Sequence, residues 1–204
     1  MKTIFLALVL CLTCGAARAE DVLQAVEKQL ILEPVARGEF VQTRKLAQIR
    51  KPLVSNGRFL VAQNYGVIWE NLSPITQITR LTRDEIVQTD GNTTLMKLSA
   101  EKEPVVRIIN GILFSVFSGD VAALAQVFDY SGQVEGKADS KTWRLNFTPK
   151  DNSLARLIQE LRLEGGRDVS SVEMESAAGD VTRIEFKATT HSGTLSEAEK
   201  KQFE

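Results

Sequence analysis

The chain is 204 residues long and carries 25 Lys+Arg against 26 Asp+Glu, with one His and two Cys. That balance excludes the basic patch or stripe of a nucleic-acid binder. Both cysteines, Cys11 and Cys14, fall among the first fourteen residues, so the rest of the chain has no disulfide, thiolate metal site or Cys nucleophile and depends on burial for its stability.

Residues 1–19, MKTIFLALVLCLTCGAARA, combine Lys2, an apolar run over 4–12 and the small-x-small site Ala17-Arg18-Ala19. This is the pattern of a cleaved secretory signal. The apolar run is too short for a bilayer about 30 Å thick, which takes roughly 20 residues. Neither Cys follows the small residues that a lipid-anchor signal needs. Cleavage would remove Lys2 and Arg18, leaving 23 cations against 26 anions. Residues 20–204 are expected to form one domain with a real core.

Residues 20–32 read as an amphipathic helix, with Asp21 as N-cap, Val22, Leu23, Val26 and Leu30 on one face, and Pro34 as its stop. The period then changes to two. Phe40, Gln42, Arg44 and Leu46 alternate with Val41, Thr43 and Lys45; Phe59 and Val61 follow, then Val67 and Trp69. Further runs lie at 77–81, 85–89 and 93–99. Ser55-Asn56-Gly57, Asn64-Tyr65-Gly66, Ser73-Pro74 and Asp90-Gly91-Asn92 supply the punctuation, as in an antiparallel meander.

Residues 103–128 break the pattern and read as helical. Pro104 suits a first turn, and Ile108, Ile112, Leu113, Val116 and Phe117 cover most of the first part. Ser118-Gly119 interrupts, and Asp120 caps a second piece with Val121, Leu124 and Phe128. The segment is either a core helix pair or a lid whose apolar side chains face a cavity. Strands resume at Ser131. Trp143, Leu145 and Phe147 alternate with Arg144, Asn146 and Thr148, and runs with Leu157, Leu161 and Leu163, with Val172 and Met174, and with Ile184 and Phe186 follow. Residues 196–203 are charged, a short helix or a frayed tail.

The fold class is therefore mainly β with helices (α+β). About eleven antiparallel strands are too many for so few helices to cover flat, so the sheet should curl into an incompletely closed β-barrel around a helical lid or plug.

In order along the chain, Gly38-Glu39-Phe40-Val41-Gln42-Thr43, Ser55-Asn56-Gly57-Arg58-Phe59, Gly66-Val67-Ile68-Trp69-Glu70, Pro74, Asp90-Gly91 and Val181-Thr182-Arg183-Ile184-Glu185-Phe186 resemble the outer-membrane lipoprotein carrier LolA and its relatives. The resemblance implies an unclosed β-barrel with a helical lid. It implies a periplasmic carrier that shields acyl chains in an apolar cavity, taking cargo from an inner-membrane transporter and handing it to an outer-membrane acceptor. Classical members place an Arg six residues before the Trp, where it contributes to opening and release; this chain has Gln63 there, which makes it a divergent member.

On that reading the cavity wall and lid comprise Phe40, Arg44, Phe59, Val61, Trp69, Ile108, Ile112, Leu113, Val116, Phe117, Leu124, Trp143, Leu145, Phe147, Leu161, Ile184 and Phe186. Trp69 is most simply a half-buried strand residue and, in the functional reading, part of the cavity wall or lip; Arg44 is either a head-group contact or a solvated strand end. No catalytic residue, metal ligand or cofactor is expected. The chain lacks G-x-S-x-G, H-E-x-x-H, G-x-G-x-x-G and P-loop motifs, and His191, in Thr-Thr-His-Ser-Gly, reads as an exposed loop residue. The expected partners are an acylated lipoprotein or lipid, a donor and an acceptor, with no nucleic acid and a monomeric chain. A non-shuttling binding or envelope-assembly module, or an enzyme on a hydrophobic substrate, are the competing classes.

Overall fold

The computed structural model describes residues 21–102, 111–112, 114–116, 120–136 and 141–203. Among these described residues eleven strands form one antiparallel sheet. They are β1 (Val35–Lys45), β2 (Leu53–Ala62), β3 (Gly66–Ser73), β4 (Gln77–Leu81), β5 (Glu85–Asp90), β6 (Thr93–Ser99), β7 (Phe128–Glu135), β8 (Thr142–Pro149), β9 (Ile158–Gly165), β10 (Val169–Ser176) and β11 (Val181–Ser192). The order β6-β5-β4-β3-β2-β1-β11-β10-β9-β8-β7 joins two meanders through the β1–β11 pair and leaves β6 and β7 as edges. Among the described residues no hydrogen-bonded pairing joins β6 to β7, so the sheet is not closed.

The two faces differ as the alternation requires. On the outer face, Arg144 pairs with Glu164, and Arg162 and Arg183 both reach Glu173. Exposed pairs of this kind contribute at most about 1 kcal/mol each, but they mark this surface as solvated. The inner face is apolar. In the β7–β10 half, Leu145, Phe147, Leu161 and Leu163 pack with Leu23 and Val26 of α1 (Val22–Glu27) and with Val121 and Leu124 of α2 (Val121–Leu124). In the β1–β6 half, Phe59, Val61, Val67, Leu81 and Ile86 form a second cluster.

Several boundaries differ from the expectation. The first helix stops at Glu27 rather than continuing to residue 32, because the Ile31 N–H donates to the Arg167 carbonyl at 2.9 Å and draws the chain to the β9–β10 turn. Within 103–128, residues 111–112 and 114–116 and then α2 are helical. Phe128, expected on a helix, is instead the fully buried first residue of β7, opposite Pro149. The run expected to begin at Leu157 begins at Ile158, after a one-turn helix α3 (Asn152–Ala155) whose N-terminal amides bond Asp151.

The charged C-terminus is a helix, α4 (Glu197–Lys200), with Ser196 and Glu199 forming a capping box. It docks on the outer face, where Leu195 and Phe203 cover Val35, Leu60, Ala62 and Ile68. Arg37 on β1 fastens it through a two-pronged contact with Glu199. The guanidinium bond, helped by Ser196, holds the Glu199 carboxyl at about 2 against an ordinary 4.5. A depressed carboxylate stabilises the folded form above its unfolded value and loses that contribution as pH falls. The clasp is therefore expected to be fully present above about pH 4.5 and to weaken progressively toward pH 2. Limited proteolysis by an acid-active protease should release residues 193–204 increasingly through that window, and Arg37→Ala should allow release at neutral pH. Acid-independent cleavage would contradict this account.

Candidate functional site

The inner face of the central strands is floored by four aromatic rings. Phe40 stacks on Trp69 with centroids 3.7 Å apart and an interplanar angle of 23°. Phe59 meets Phe186 edge-on at 5.3 Å, and Trp69 meets Phe186 edge-on at 6.3 Å. Offset and edge-to-face rings add about 0.5–1.5 kcal/mol per pair beyond area burial.

Two glycines make this possible. Phe40 lies on β1 and Trp69 on β3, with β2 between them. Strands two apart are separated by roughly 9–10 Å, too far for stacking over an ordinary side chain. The residue opposite Phe40 on β2 is Gly57, where a Cβ would lie 2.9 Å from the Phe40 ring. Gly38 performs the same service on β1. It sits opposite Phe59, and a Cβ there would lie 2.7 Å from that ring. Phe59 thus crosses β1 to reach Phe186 on β11.

Phe40 and Phe59 are buried, whereas Trp69, Ile184 and Phe186 are half-buried. Val61 belongs to the same inner surface and is buried. Trp143, Leu145, Phe147 and Leu161 lie in the other half, together with Ile112, Val116 and Leu124. The indole N–H of Trp143 donates to the Gly166 carbonyl at 2.8 Å, which satisfies its one polar atom. Arg44 shares the Phe40 face by register but is exposed near the end of β1. Ile108, Leu113 and Phe117 lie outside the described residues.

The residues expected from sequence omitted several contributors to this surface, among them Val67, Leu81, Ile86 and Leu163. Phe114 packs against the Phe59 cluster, and Val172 and Met174 pack against the β8–β9 cluster. Phe114 was legible as a bulky residue in the apolar helical run; Val172 and Met174 were legible as an alternating pair.

A small cleft of about 40 Å³ opens between the two halves, lined by Ala36, Phe59, Val116, Phe186, Asp168 and His191 among others. His191 is not a loop residue, as its neighbours suggested. It lies on β11 with its side chain largely buried, and its Nε2 is 2.5 Å from Asp168 Oδ1. Its Nδ1 is buried without a hydrogen-bond partner among the described residues. The pairing became possible because the β9–β10 turn folds back over the end of β11, a contact between residues 23 apart. Chemically the cleft offers an apolar wall with one polar corner. Among the described residues no group of three His, Cys, Asp or Glu side chains could hold a metal ion.

No curated protein matches the chain. Among solved structures, it is similar to a LolA superfamily protein from Nitrosomonas europaea at 13% identity and TM-score 0.46, covering 87% of this chain and 94% of that one. It is also similar to a DUF1329 family protein from Desulfovibrio piger at 12% identity and TM-score 0.44, covering 86% and 93%. A chain of the MucA/MucB complex of Pseudomonas aeruginosa matches at 13% identity and TM-score 0.46, over 87% of this chain and 58% of that one. The sequence model of the outer membrane lipoprotein carrier protein LolA-like family matches residues 14–202. With nearly its whole length matched, the chain belongs to the LolA-like family.

Proposed function

We propose that this protein is a periplasmic carrier, exported by a cleaved signal at residues 1–19, that shields the acyl chains of a lipoprotein or another lipid. It would move that cargo from an inner-membrane donor to an outer-membrane acceptor. The observation that carries the reading is the aromatic floor, Phe40, Phe59, Trp69 and Phe186, laid on the inner face of a sheet that hydrogen bonds leave unclosed. Apolar ligands need concave apolar surface more than point chemistry, and half-buried Trp69, Ile184 and Phe186 offer it. Membership of the LolA-like family supports the same reading. Ile112 and Val116 occupy the space that an acyl chain would take and would be displaced by it.

Native mass spectrometry of protein purified from the cell envelope tests the reading. Co-purified lipid, and micromolar binding of a fluorescent fatty-acyl probe, are the expected results; absence of both rejects it. Trp69→Ala should weaken probe binding about five- to thirtyfold, the worth of roughly 1–2 kcal/mol of lost apolar contact. Unchanged affinity would remove Trp69 from the binding wall.

A second reading is a binding module that does not shuttle. It is favoured by the depth of Ile112 and Val116, which are only 8% and 2% exposed within the β8–β9 core cluster. Hydrogen exchange separates the two. Amides at 111–116 should exchange faster when the probe is bound to a carrier, and should not change in a static module.

A further inference from the structure

We propose that one end of the sheet, centred on the β1–β2 loop, is a docking rim for an anionic phospholipid bilayer. The loop reads Arg44-Lys45-Leu46-Ala47-Gln48-Ile49-Arg50-Lys51-Pro52-Leu53-Val54. Arg44, Lys45, Arg50 and Lys51 are all exposed. Between and beside them Ile49, Leu53 and Val54 are 50%, 50% and 53% exposed.

The apolar character continues into the next connection. Asn56 pairs with Ser73 and Leu53 with Arg44, which sets the β1–β2 and β3–β4 connections at the same end of the sheet. Leu72 and Ile75 in the latter are 43% and 62% exposed. At the opposite end the exposed large hydrophobics among the described residues are Leu32 and Tyr65. Single exposed hydrophobics are ordinary, but a contiguous set marks an interaction surface.

The charge selects the occupant. The chain as a whole has a net charge of −1, yet four cations fall within eight residues here. The acids closest by strand pairing are Asp180 on the β10–β11 turn, which accepts the Ala47 N–H at 2.9 Å and anchors the loop, and Glu175 on β10, opposite the Val181 that pairs with Lys45. Interleaved basic and apolar side chains match an interface of anionic head groups over acyl chains. A second copy meeting rim to rim would instead bring two sets of cations together. The rim stands apart from the cavity and does not depend on what fills it.

The test is co-sedimentation of the protein, purified after export, with vesicles of phosphatidylethanolamine and phosphatidylglycerol, and with vesicles of phosphatidylcholine. Binding to the anionic vesicles alone, weakened by added salt, is the expected result. The double variant Arg50→Gln/Lys51→Gln should bind about thirtyfold more weakly, at about 1 kcal/mol per basic residue near an anionic surface. Ile75→Asp should also lose binding. Equal binding to phosphatidylcholine, no binding to either vesicle, or unchanged binding by both variants would overturn the proposal. Self-association abolished by Ile75→Asp would overturn it in favour of a second copy. The acyl-probe affinity of the same preparations separates this from the carrier reading. Vesicle binding without probe binding keeps the rim and rejects the cavity; probe binding without vesicle binding does the reverse.

Discussion

Gly57→Ala is expected to break the β2–β3 ladder and to cost at least about 3 kcal/mol, the upper end of ordinary overpacking or beyond it. A Cβ at this position would lie 1.8 Å from the Glu70 carbonyl oxygen, 2.8 Å from its carbon and 2.9 Å from the Phe40 ring. Two of those three atoms are backbone, so relief requires the strands to part. The break falls where a register shift at Asn56–Gly57 already disturbs pairing with β3. It would also push Phe40 out of its stack on Trp69, so stability and the aromatic floor should fail together. Urea denaturation followed by Trp fluorescence measures both. A midpoint within the error of the wild type would show that the ladder relaxes freely, and the close-approach argument would be wrong.

Phe147→Ala should cost about 3–5 kcal/mol, the range for deleting a buried aromatic ring. Phe147 is fully buried, with the Phe128 ring 6.0 Å away edge-on and the Tyr130 ring at 6.4 Å. Its loss would leave a void where β7, β8 and β9 pack together. Against a typical total of about 5–15 kcal/mol, that is a large share of the fold's stability. The comparison with Trp69→Ala is informative. Trp69 is only half-buried, so its truncation should lower stability less while lowering probe affinity more. If the two substitutions destabilise equally, Trp69 is core and the floor is not an accessible surface.

Much of the fold was legible in residue periodicity. Gln77–Leu81 and Thr93–Ser99 have the bounds the alternation suggested, and Trp143, Leu145 and Phe147 are all buried on one side of β8 while Arg144 and Thr148 are exposed. A strand's side-chain period of two is a local property, so local sequence carries it. Boundaries were less legible where a distant contact set them. The Ile31–Arg167 hydrogen bond ended the first helix, and the Phe128–Pro149 pairing converted the end of a helical run into strand. The C-terminal residues left helix and frayed tail equally open, and Arg37 on β1 decided for a docked helix.

The sequence by itself determined the eleven-strand alternation, the apolar inner face and the family, because each is written in spacing along the chain. Only the tertiary structure decided that Phe40 stacks on Trp69 across Gly57, that His191 meets Asp168, and that Ile49, Leu53 and Ile75 gather with four cations at one end of the sheet. Those features depend on which residues stand opposite one another in register, and register is fixed by pairing between strands rather than by spacing within one.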